Sequence, residues 1–99
     1  MVFKNNLVKP TDVSKYNFCG WSVDLDTDME DAEEKCRKVI TAEKFGIVSC
    51  VDVQKTIKKK INKDIRPYLI LGACSPPHAF NAVGLEEHIG LLMPCNVLL

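Results

Sequence analysis

Several signatures of familiar chemistry are missing from this sequence. No C-x-x-C pair occurs among its five cysteines, which argues against a zinc knuckle or a thioredoxin-type dithiol. There are no Walker glycines, no dinucleotide-binding fingerprint and no nucleophile elbow. Net charge is absent too: 13 basic residues balance 13 acidic ones, so no overall field draws nucleic acid or an acidic membrane surface. No apolar run approaches bilayer length, the longest being of the order of Tyr68 to Cys74. The start, "MVFKNNLVKPTDV", lacks the continuous apolar core of a secretory signal. Repeats and low-complexity tracts are also lacking. What these absences leave is a chain expected in a reducing setting, the cytoplasm, with neither nucleic acid nor membrane as partner.

What is present is enough for one small domain. The chain has 99 residues with 46% apolar content, ordinary for a globular protein and above that of a disordered one. Residues 1–17 are polar, contain Pro10 and show no clear period, so they read as a flexible lead-in to a domain spanning 18–99. "YNFCGWSVDL" alternates weakly and reads as a first strand. In "DTDMEDAEEKCRKVITAEKFG", Thr27 and Glu30 have capping-box spacing, and acidic residues crowd the first turn. Met29, Ala32, Cys36, Val39 and Ile40 recur at helical steps, and Gly46 suits the left-handed position past the end.

"IVSCVDV" follows as a β-branched strand, then "VQKTIKKKI" as a short helix striped by Val53, Ile57 and Ile61. Its lysine run, Lys58 to Lys60, has no aromatic residue interleaved for base stacking and reads as a solvated face. Tyr68 to Cys74 is apolar throughout, as a central strand covered on both faces requires. Ser75 and Pro76 then open a short helix, "PPHAFNAV", expected to stop at Gly84. "IGLLMPCNVLL" reads as a last strand, with a bulge or an edge expected at Pro94. The fold class that results is α+β, in the order strand, helix, strand, short helix, strand, short helix, strand.

Chemistry has one natural place. Cys74 closes the central strand immediately before a helix start, where unpaired N–H groups and the helix dipole favour a thiolate. His78 lies four residues on and is in range to pair with it. Cys95, in "MPCN", follows the strand-breaking proline, and Ser75 and Asn96 add hydrogen-bonding groups. The candidate ligand-binding set is therefore Cys74, Ser75, His78, Cys95 and Asn96. Were the two strands neighbours, Cys74 and Cys95 would form a redox pair or, with His78 or His88, a soft-metal set. No metal ligand set and no cofactor is assigned on spacing alone. Cys19, Cys36 and Cys50 read as small core hydrophobes. Arg66 beside Pro67 reads as a surface ion-pair partner of Asp64 or Glu86, and the acidic run "DLDTDMEDAEE" lacks the ligand spacing of an EF-hand.

From about Gly20 to Leu99 the chain resembles the family known as domain of unknown function 302, through "KFGIVSCVDVQKTIKKKI", "RPYLILGACSPPHAF" and "IGLLMPCNVLL". The resemblance implies helices packed on a mainly antiparallel sheet, frequent dimers, no established activity, and cysteines at positions 74 and 95. This chain departs from it in three ways. Cys50 stands where an acidic residue is usual, His78 where a nonpolar one is usual, and a further strand and C-terminal helix are expected after "PCNV". An open edge and an uncovered face would follow, so a homodimer is expected. Three functions remain in order: a small-ligand or metal-binding module with a pocket near Cys74 and Cys95, an oligomeric interaction domain, and a thiol-dependent redox enzyme.

Overall fold

A computed structural model describes residues 20–99 and, as backbone only, Val2–Lys4 and Lys15–Asn17. These two stretches of the lead-in are strands β1 and β2. The rest of residues 1–19, Cys19 and Pro10 included, lies outside the described residues. Strand β3 is Gly20–Asp24, helix α1 Met29–Ala42, strand β4 Gly46–Asp52, helix α2 Val53–Ile61 and strand β5 Leu69–Cys74. Helix α3 is Pro76–Leu85, a 3₁₀ turn covers Glu87–Leu92, and strand β6 is Cys95–Leu98. From β3 onward this is the α+β order expected from the sequence.

The sheet runs β2-β3-β1-β6-β5-β4. The pairs β2–β3, β4–β5 and β5–β6 are antiparallel, while β1 is parallel to both of its neighbours. β5 is therefore interior, and its residues Leu69, Leu71 and Ala73 are buried, Leu71 completely. Helix α1 covers that face: Ala32 and Cys36 join Leu69, Leu71 and Leu99 in one core, with Leu25, Met29, Ile40 and Val97 packed against it.

α1 holds its shape through local pairing. Asp28 caps it by accepting from the Asp31 N–H at 2.8 Å. Lys35–Asp31, Arg37–Glu33 and Lys38–Glu34 form acid-before-base pairs four residues apart at 2.6, 2.8 and 2.6 Å, each contributing roughly 0.2–0.5 kcal/mol. The cap is Asp28 rather than Thr27, whose hydroxyl instead donates to the Asp31 carboxylate. A carboxylate one residue nearer the helix displaces the threonine as the better acceptor at this position. Past the end, the left-handed residue is Lys44 (φ 64°), not Gly46, which already begins β4. Val39, expected on the buried stripe, is 62% exposed, because α1 rests on the sheet along the line through Ala32 and Cys36.

The end of the chain also differs. The strand expected over residues 89–99 is shorter, since Glu87–Leu92 winds into the 3₁₀ turn and only Cys95–Leu98 pairs. Pro94, joined to Met93 by a cis peptide, precedes β6 instead of interrupting it, and β6 lies inside the sheet between β1 and β5. The expected bulge or edge is absent there because proline's missing N–H falls just before the ladder begins. A bulge does occur, in β4, where the register slips between Ile47 and Ser49.

Candidate functional site

Strand geometry decides where the two proline-flanked thiols go. Side chains alternate between faces along a strand, and residues directly opposite across a ladder share a face. Ala73 pairs with Cys95 and Leu71 with Val97, so Cys95 lies on the face that α1 covers. Cys74, one residue beyond Ala73, lies on the other face. The sulfurs that were expected to converge are thus separated by the sheet itself. Asn96 pairs with Gly72 and shares the Cys74 face. Cys95 is exposed at its end of β6, and Cys74 is half-buried.

The start of α3 supplies less polarity than a typical helix terminus. Ser75 is the N-cap and is buried, but its side chain makes no capping hydrogen bond. Its Oγ is engaged instead with Nδ1 of His78 at 2.7 Å. His78 does turn back to the helix start, but the partner the structure gives it there is the serine. Pro76 and Pro77 occupy the first two helical positions and carry no N–H. The cluster of unpaired donors expected to stabilise a thiolate at Cys74 is therefore cut to few groups.

Gly72 marks a close approach on this face. A Cβ built there would overlap Ser49 Oγ and come within 2.7 Å of Pro94 Cγ. Ser49 from β4 and Pro94 before β6 close over the glycine from both sides, which sequence spacing gave no means to pair. On the opposite face, Arg37 Nη2 lies 3.6 Å from Cys50 Sγ while the same guanidinium is bound to Glu33. Cys50 was expected in the core and is exposed instead, because β4 is the outermost strand and the α1 core centres on β5 and β6. Cys36 is buried as expected, and burial pushes its thiol above the usual range. His88 is bound to Glu86 at 2.9 Å, remote in role from either sulfur. Lys58 pairs with Asp64 at 3.0 Å, and Arg66 lies over the Tyr68 ring at 5.9 Å. Among the described residues no group of three or more His, Cys, Asp or Glu side chains is gathered as a metal ion requires.

A model of the family described as "Domain of unknown function DUF302" matches residues 21–99. The chain belongs to the DUF302 family. Its fold is similar to the crystal structure of an uncharacterised conserved DUF302 protein from Bacillus stearothermophilus, with a TM-score of 0.67 and 25% identity over 73% of this chain. The chain spans 56% of the length of that DUF302 structure. No curated protein matches it. No helix among the described residues is long and apolar enough to cross a membrane. The DUF302 match covers β3 to the end of the chain, the region holding Cys74, Ser75, His78, Cys95 and Asn96.

Proposed function

We propose that this DUF302 domain acts by assembly, as a homo-oligomeric interaction domain. One observation carries the reading. Ten large apolar side chains are exposed among the described residues, against six buried apolar ones. Four of the most exposed are Phe80 (81%), Leu85 (90%), Leu91 (88%) and Leu92 (78%), all within α3 and the turn after it. Large apolar side chains exposed together on two consecutive elements are the kind of surface that folded domains use for interaction. A second copy is the partner chosen because the chain carries no net charge to repel itself, and α3 holds no Asp, Glu, Lys or Arg from Pro76 to Leu85. Self-association by a two-fold axis needs only that one patch fit its own copy. Size exclusion with light scattering tests this: a dimer mass supports it, and a well-behaved monomer at every concentration contradicts it.

Small-ligand binding remains as a second reading, supported by the buried Ser75 held to His78 beside Cys74. Native mass spectrometry after gentle purification tests it. A bound small molecule or metal lost in His78→Ala would support it, and an empty protein would not. The separate faces of Cys74 and Cys95 speak against a thiol redox pair within one chain. Exposed Cys50 and Cys95 suit a reducing compartment, which supports a cytoplasmic setting.

A further inference from the structure

The sheet ends on two unlike edges. β2 is three residues long, and a short edge strand offers little backbone for another strand to pair with. β4 is seven residues long, Gly46–Asp52, and carries neither charge nor proline before Asp52. Three of its residues are β-branched, and Val48 and Val51 are 61% and 46% exposed. Its inner side pairs with β5, while no described strand lies on its outer side. Its one protective feature is the slip between Ile47 and Ser49. A long, apolar, uncharged edge is a template for a further strand.

Building on the reading that this domain self-associates, we infer that β4 supplies a seam of its own, apart from the α3 surface: two copies join their β4 strands antiparallel about a two-fold axis at Ser49, continuing the sheet across the dimer. An antiparallel strand is its own complement, since each outward N–H meets a C=O of the copy under two-fold symmetry. Full overlap of the seven residues places Asp52 opposite Gly46 of the copy, so no like charges meet. Asp52 itself is engaged, capping α2 and paired with Lys55 at 3.6 Å. Arg37, the cation nearest Cys50, is neutralised by Glu33. In this register each Cys50 faces Val48 of the copy, and the two Cys50 Cβ atoms lie diagonally across the seam, about 7–8 Å apart.

The experiment joins light scattering, which reads assembly, to a short bismaleimide cross-linker, which reads the seam. The expected result is a dimer whose cross-link vanishes in Cys50→Ser but persists in Cys74→Ser and Cys95→Ser. Val48→Lys, placed at an exposed site, should keep the parent circular dichroism and weaken dimerisation by at least about tenfold. A dimer that keeps its affinity in Val48→Lys and gives no Cys50-dependent link overturns the β4 seam and leaves assembly standing. A monomer throughout overturns both.

Discussion

Replacing Gly72 with alanine pits two effects of opposite sign. In an ordinary strand interior the change stabilises by roughly 0.5–1 kcal/mol, because glycine loses more backbone freedom on folding. Here the new methyl would overlap Ser49 Oγ and sit 2.7 Å from Pro94 Cγ. The serine hydroxyl belongs to the outermost strand and can rotate, but the proline ring is fixed to its own backbone at the start of β6. Overpacking of this kind costs about 1–3 kcal/mol. The clash wins, with a net loss of about 1 kcal/mol, which lowers Tm by about 4–8 °C in a domain of this size. Urea denaturation followed by circular dichroism measures it as a lower midpoint at unchanged slope. The double variant Gly72→Ala/Ser49→Ala should recover part of the loss, since it removes the nearer of the two obstacles while Ser49→Ala alone stays within about 0.5 kcal/mol of the parent. A Gly72→Ala protein as stable as the parent, or more so, would refute the close approach of β4 and Pro94 over this glycine.

Leu71→Ala empties the centre of the core, where the side chain is fully buried, and should cost about 2–5 kcal/mol; a midpoint near the parent's would contradict the packing of α1 on β5. Asp28→Ala removes the acceptor for the Asp31 N–H and should cost about 1 kcal/mol in thermal melts, whereas Thr27→Ala should cost less. Burial raises the Cys36 thiol's pKa, so its contribution to stability is full below the ordinary thiol range and is lost as pH rises through the raised value; thermal melts should weaken on the alkaline side, and Cys36→Ala should flatten that limb. Hydrogen bonds from Lys35 and Thr27 lower the Asp31 pKa, so its contribution holds above the ordinary carboxylate range and fades as pH falls through the lowered value, an acid limb that Asp31→Asn should reduce.

The parts of the fold legible in the sequence are those set by local chemistry. The paired charges, capping acids and Ala32–Cys36 stripe of α1 specify that helix without tertiary help, and the apolar run Leu69–Cys74 specifies an interior strand. α2 lies where its stripe placed it, between the Asp52 cap and left-handed Asn62. The candidate site depended on something spacing does not carry, the register of β5 on β6. A shift of one residue would move Cys95 to the face of Cys74, and nothing in "LGACS" or "MPCN" fixes that choice; the hydrophobic match of Leu71 with Val97 does. Pro76 and Pro77 were in plain view, and their lack of N–H groups already weakened the case for a thiolate at this helix start. Cys50 was misplaced for a related reason: a β-branched stretch looks alike at the middle and at the edge of a sheet.

Hydrogen exchange of the β4 amides, followed over a range of protein concentrations, tests the central claim most directly. Assembly through this edge predicts that outward-facing amides between Ile47 and Val51 slow as concentration rises, while those of α1 hold a constant rate. Exchange at β4 that is fast and independent of concentration would contradict assembly through this edge.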